Sequence, residues 1–196
     1  YALGATENDI TKTWMPWAQK AGTIVVDNSS AYRLDPNVPL VIPEINPEDI
    51  QKNQGIIANP NCATIIALVA LHALHQEFKI KRMIVSTYQA VSGAGVKGIQ
   101  DLENQVKDPS IPSQAFPYPI AYNLIPQIGD FDENGISKEE WKLQNESRKI
   151  LHDPDILVNC TCVRVPIMRS HSESITIECE KEVDAQKARE LLAHAP

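Results

Sequence analysis

Cysteine is scarce in this sequence. The four present, Cys62, Cys160, Cys162 and Cys179, lack the density of a disulfide framework and fit a reducing compartment. Long apolar runs are missing as well: Ile65 to Leu71 is the longest, far short of the roughly 20 residues a membrane span requires. No basic stretch followed by an apolar one opens the chain, so no secretion signal is read, and the cytoplasm is expected. Positive charge is in deficit, with 18 Lys and Arg against 25 Asp and Glu and a net charge of −7. That balance argues against a nucleic-acid or anionic-membrane surface, although a local cationic pocket for a small anion remains open. Glycine is low at 8 and proline high at 14, so the connecting chain is expected to be stiff.

Against these shortages stand 43% apolar and 22% charged residues, the mixture of a globular chain able to bury a sizeable core. With no sustained heptad, that mixture excludes disorder, collagen-like repeats and coiled coil. The chain begins Tyr1-Ala2-Leu3-Gly4 without a Met and stops at Ala195-Pro196 as a helix runs out. It reads as an internal piece of a longer protein.

Thr11 to Ala21 has helical spacing at Trp14, Trp17 and Ala18, with Gly22 as its stop. The β-branched run Thr23 to Val26 and the run Gly55 to Ala58 read as buried parallel strands. Between them, prolines 36, 39, 43 and 47 bracket an extended piece at Val38 to Ile42. A strongly apolar helix is expected from Thr64 to about Glu77, buried because its apolar residues lie nearly all round. A strand over Ile80 to Tyr88 follows. A small-residue turn then feeds a helix with Val96, Ile99, Leu102 and Val106 on one face. Asp108 to Gln127 holds five prolines and three aromatics and reads as an ordered loop. Ser137 to Glu140 has capping-box spacing for a helix to about Leu151. Strands at Ile156 to Val165 and Ser174 to Glu180 precede a last helix capped by Asp184. The order is α/β at the front and α+β behind, with the break near Cys62.

Cys62 stands at a strand-to-helix turn, where unpaired N–H groups and the helix dipole favour the nucleophilic thiolate and can steady an oxyanion. His171, in the polar run Arg169-Ser170-His171-Ser172-Glu173, has the titration range of an acid/base. Arg164 lies inside the apolar strand Val163-Arg164-Val165, where an unpaired guanidinium would be costly, so an anionic ligand or buried carboxylate is expected to answer it. Arg33, Lys142 and Arg169 are further cations, each alone most simply a surface charge. Ser92-Gly93-Ala94-Gly95 suits close approach by a cofactor or phosphate, or is simply a tight turn. Around Gly4 the spaced glycines of a dinucleotide fingerprint are missing. His72 and His75 have metal-like spacing but no third ligand, and no metal is expected.

Three motifs in order, Asn59-Pro60-Asn61-Cys62, Ser86 to Gly95, and Arg164-Val165-Pro166 with Arg169-Ser170-His171-Ser172, resemble aspartate-semialdehyde dehydrogenase of the bacterial type. The likeness runs over nearly the whole chain, including Asp27 to Arg33 and Pro39 to Asn46. It implies an NADPH-dependent enzyme that makes L-aspartate 4-semialdehyde from L-aspartyl 4-phosphate, on the route to lysine, threonine and methionine. It further implies Cys62 as the nucleophile forming a thioacyl intermediate, His171 as acid/base, and Gln89 as the residue orienting substrate or thioester. Arg164 would hold the substrate carboxylate. Arg33, Asn61 and Lys142 would line the phosphate site, with Glu139 beside Lys142. Leu3, Gly4, Ser92 and Gly93 would touch the cofactor, NADP. The implied fold is α/β: residues 1–61 the remainder of a Rossmann-like NAD(P)-binding domain lacking its glycine-rich start, and 62–196 an α+β catalytic and dimerisation domain with a mixed sheet, lacking its last part. A homodimer or dimer of dimers is expected, and the chain by itself is expected to bind NADPH poorly and to be largely inactive. The same chemistry leaves two alternatives, an N-acetyl-γ-glutamyl-phosphate reductase and a non-catalytic module of the same fold. The former usually has Asn-Pro-Gly-Cys where this chain has Asn61.

Overall fold

The computed structural model describes residues 1–195. In chain order it holds β1 (Ala2–Gly4), α1 (Asn8–Lys20), β2 (Val25–Asp27), β3 (Ile56–Ala58), α2 (Cys62–Phe78), β4 (Ile80–Gln89), α3 (Gly95–Lys107), α4 (Lys138–Ile150), β5 (Leu157–Arg164), β6 (Ser172–Cys179) and α5 (Ala185–Ala193). By compactness the chain divides into two units, one of Met83–Trp141 and Val158–Thr176, the other of the remaining residues.

The larger unit carries a parallel sheet in the order β1-β2-β3, with Ala2 beside Val25, Gly4 beside Asp27, and Asp27 beside Ala58. Its strands are short, β2 and β3 are rich in β-branched residues, and Val25, Ile56 and Ala58 are buried. α1 connects β1 to β2 and ends before Gly22, whose φ of +71° is the left-handed turn a glycine makes without a steric penalty. The expected extended piece adds to the sheet edge: the Ala58 N–H donates to the Pro39 carbonyl at 2.8 Å, and the Val41 N–H to the Ala58 carbonyl at 3.1 Å.

α2 corrects one expectation. It is buried along one side only, through Ala63, Ala67, Leu68, Leu74 and Phe78, while Ile66 is 40% exposed. A helix apolar on every face has no polar stripe to mark its wet side, so the sequence pattern is silent on the point.

The second sheet has the order β5-β4-β6. The Val165 N–H reaches the Gln89 carbonyl at 2.9 Å, joining strand ends and making β5 parallel to β4. The Glu180 N–H reaches the Lys79 carbonyl at 2.9 Å, joining the end of β6 to the start of β4, so that pair is antiparallel. This is the mixed sheet expected of the α+β part of the chain. Alternation along β4 is clean at its far end, with Met83, Val85, Thr87 and Gln89 buried and Ile84 and Tyr88 exposed.

In the smaller unit Val91, Leu102, Ile120 and Ile125 form a buried cluster, each such side chain contributing about 1.5–3 kcal/mol. The proline-rich loop is ordered because α3 supplies partners for its backbone. The buried Asp101 carboxylate accepts from the N–H groups of Gln114 and Ala115, and buried Gln105 Oε1 accepts from those of Ile120 and Ala121. α4 opens on the expected capping box: the Ser137 N–H donates to Glu140 Oε2 at 2.7 Å, and the Glu140 N–H to Ser137 Oγ at 3.4 Å. Among the described residues no helix is long and apolar enough to cross a membrane.

Candidate active site

β3 ends at Ala58, and Asn61 caps the helix that follows. The Asn61 backbone is extended, and its Oδ1 accepts from the N–H groups of Ala63 at 2.9 Å and Thr64 at 3.3 Å. Cys62 is therefore the first residue of α2, and it is exposed. A thiol there faces the positive end of a 17-residue helix, a field that favours the thiolate. Cys160 and Cys162 are the opposite case. Burial pushes both thiols up, Cys162 to about 12, so neither is nucleophilic near neutrality.

Behind the Cys62 turn lies a residue that the sequence reading missed, Glu146, 1% exposed. One carboxylate oxygen accepts from Arg33 Nη1 at 3.2 Å, and the other from the Asn61 backbone N–H at 2.6 Å. Arg33, also buried, donates through Nη2 to the Asn28 carbonyl at 3.0 Å. Burial pushes the Glu146 carboxyl above its ordinary range, while Arg33, the Asn61 N–H and Lys142 pull it down. The loop that carries Arg33 is tied down by Lys149, whose Nζ donates to the carbonyls of Arg33, Asp35 and Val38 at 2.6–2.8 Å. The legible signal for Glu146 was its spacing. Glu139, Leu143, Glu146 and Ile150 recur at four, three and four residues and are all buried, so two carboxylates occupy an inward stripe.

In the smaller unit the backbone of one residue, Ala90, holds two candidate side chains. The Ala90 N–H donates to His171 Nδ1 at 3.0 Å, and the Ala90 carbonyl accepts from Arg164 Nη1 at 2.9 Å. The neutral imidazole thus carries its proton on Nε2. Burial and the Arg164 charge lower the His171 pKa, opposed by Glu139. Arg164, buried, also lies over the Phe116 ring at 5.7 Å, so a carbonyl and an aromatic face help to satisfy the strand guanidinium. Gly93 explains its own identity: a Cβ there would stand 2.7 Å from Arg164 Nη1 and 3.1 Å from His171 Nε2. Buried Gln89 directs its amide nitrogen to Glu139 Oε1 at 3.3 Å.

The larger unit therefore holds Leu3, Gly4, Arg33, Asn61, Cys62 and Lys142, and the smaller one Gln89, Ser92, Gly93, Glu139, Arg164 and His171. Within the first, Arg33 and Asn61 meet through Glu146. Within the second, Gln89 meets Glu139, and Gly93, Arg164 and His171 pack together. Arg169 is exposed and joins neither cluster. One group of metal-capable side chains exists among the described residues, Glu48, Asp49 and His152, but Asp49 is already paired with Lys52 and His152.

Residues 1–53 match the semialdehyde dehydrogenase NAD-binding domain, and residues 71–196 the semialdehyde dehydrogenase dimerisation domain. The aspartate-semialdehyde dehydrogenase of Aquifex aeolicus is 52% identical over 202 residues, covering 100% of this chain and 59% of that protein. The crystal structure of aspartate semialdehyde dehydrogenase II from Vibrio cholerae complexed with ASA superposes with a TM-score of 0.96 at 42% identity, covering 100% of this chain and 60% of that one. The Candida albicans enzyme with NADP does so with a TM-score of 0.74 at 25% identity, covering 98% and 54%. The chain spans about three fifths of the length of the first two relatives. With the dimerisation-domain match alone spanning well over half of its residues, the chain belongs to the semialdehyde dehydrogenase family.

Proposed function

We propose that the enzyme carrying this chain reduces L-aspartyl 4-phosphate to L-aspartate 4-semialdehyde with NADPH, releasing phosphate, through a thioester on Cys62. The observation that carries this reading is the exposed Cys62 thiol on the first residue of α2, with Arg33 and Glu146 behind its turn. The names of the relatives support it, as does the Vibrio cholerae protein's complex with ASA.

In this reading the Cys62 thiolate attacks the acyl carbon, and the C–O bond to phosphate breaks with its electrons leaving on the phosphate. Arg33, Asn61 and Lys142 hold that dianion. Arg164 holds the substrate carboxylate with its planar fork, Glu139 meets the substrate amine, and Gln89 orients the acyl group. His171 is the acid/base. Its Nδ1 is held by the Ala90 N–H, so the atom that exchanges a proton with the substrate oxygen is Nε2.

Part of a site for NADP is compatible with the residues present. Gly4 is buried at the carboxyl end of β1, where a Cβ would meet Asp27 Oδ1 at 3.2 Å, so backbone alone is presented there. Leu3 and Gly4 would hold the cofactor by their main chain, and Ser92 and Gly93 would touch its nicotinamide end. When bound, NADPH supplies the hydride that reduces the thioester.

Residues 1–61 are then the remainder of the nucleotide-binding domain and 62–196 the catalytic and dimerisation part. The exposed strand residues Ile84, Tyr88, Asn159 and Thr161 offer a surface to a second copy, in a homodimer or dimer of dimers, and the enzyme works in the cytoplasm in the biosynthesis of lysine, through diaminopimelate, and of threonine and methionine. The test is to supply L-aspartyl 4-phosphate and N-acetyl-γ-glutamyl phosphate separately and follow NADPH oxidation and phosphate release. Turnover of the aspartyl substrate is expected; turnover of the acetylglutamyl substrate alone would overturn the proposal.

A further inference from the structure

An amide side chain has two faces of opposite hydrogen-bonding sense, and which one meets the substrate decides what the residue does. Gln89 is 1% exposed on the inward face of β4. Its Nε2 donates to Glu139 Oε1 at 3.3 Å and to Thr87 Oγ1 at 3.2 Å. A carboxylate only accepts, so the nitrogen end must face Glu139, and Thr87 takes the second N–H. The Thr87 oxygen is then an acceptor toward Gln89. The bond from the Val165 N–H to the Gln89 carbonyl sets the parallel register that puts Thr87 beside Cys162 and Gln89 beside Arg164. Thr87 and Cys162 are both completely buried, so no water competes for the hydroxyl. This chain of bonds leaves Gln89 Oε1 as the end that accepts from a bound group.

We infer that Thr87 is a positioning residue: with Glu139 it fixes the Gln89 amide so that its oxygen, and not its nitrogen, addresses the substrate. The inference rests on the proposed role of Gln89. A valine has nearly the shape of threonine and fits a dry site, so Thr87→Val removes the hydroxyl with little change of packing, whereas Thr87→Ser keeps the hydroxyl and loses a methyl.

In the native enzyme Thr87→Val is expected to lower kcat about 5- to 12-fold, the equivalent of one neutral hydrogen bond at about 1–1.5 kcal/mol, with KM within about twofold of wild type. Thr87→Ser is expected to stay within about twofold in kcat, while its thermal stability falls below that of Thr87→Val. In a Gln89→Ala background Thr87→Val should have no further effect on kcat. Wild-type kcat in Thr87→Val, or an undiminished loss in the Gln89→Ala background, would overturn the inference while leaving Gln89 in place. Wild-type kcat in Gln89→Ala would remove the role of Gln89 and the inference with it.

Discussion

Glu173 is a carboxylate whose two oxygens are both buried and have no hydrogen-bond partner among the described residues. It sits on the half-buried row of β6 with Ile175 and Ile177, and burial pushes its pKa from the usual 4.5 to about 7. The folded chain thus keeps a proton on Glu173 that the unfolded chain has already lost above pH 4.5. The sign follows directly. Stability is undiminished below pH 4.5, falls as pH rises toward 7, and stays lower beyond it. At about 1.4 kcal/mol per pH unit the full loss would be about 3 kcal/mol, and screening by the solvent that reaches this half-buried side chain reduces it to about 1–2 kcal/mol. Glu173→Gln removes the titration and keeps the shape. At pH 8 the variant should be the more stable by that amount, a rise in Tm of roughly 3–6 °C for a chain of this length. At pH 4 the two should coincide. His72, His75 and His171, all lowered by burial, add their own pH dependence, but it cancels in the difference between variant and wild type. The assay is thermal unfolding of both proteins from pH 4 to 8. A difference in Tm that does not change with pH would refute the reasoning.

Two further perturbations bear on the candidate site. Glu146→Ala strands the buried Arg33 guanidinium and removes the acceptor of the Asn61 N–H; chemical denaturation should show a loss of about 3–5 kcal/mol, and an unchanged midpoint would contradict the pairing. Gly93→Ala puts a methyl 2.7 Å from Arg164 Nη1, so KM for the acyl phosphate should rise about tenfold as the guanidinium is displaced. Unchanged kinetics there would show that the turn yields instead.

Where the sequence was readable, a local chemical rule governed the outcome. Ser137 and Glu140 close a reciprocal cap, Gly22 ends α1 in a left-handed turn, and Asn61 delivers Cys62 to a helix start, all properties of a few adjacent residues. The hidden features depend on partners far along the chain. The spacing of Glu146 puts it on the inward stripe of α4, but its partner Arg33 lies more than a hundred residues earlier and no local pattern names it. Lys149 looks like surface until three loop carbonyls converge on its ammonium. The expected anionic answer to Arg164 is supplied in part by the Ala90 carbonyl and the Phe116 ring, because a peptide oxygen and a π-face carry no sequence signature. The unburied side of α2 was hidden by uniformity: Ile66 and Leu68 look alike in composition and differ only in what folds over them.

The most direct test asks where the acyl group rests between phosphate loss and reduction. The native enzyme, given L-aspartyl 4-phosphate without NADPH, is quenched in acid and its peptides are analysed by mass spectrometry. An aspartyl adduct on the peptide that contains Cys62, labile to hydroxylamine and absent from Cys62→Ala, is the expected result. Reductive turnover in Cys62→Ala, or an adduct on any other residue, would contradict the account.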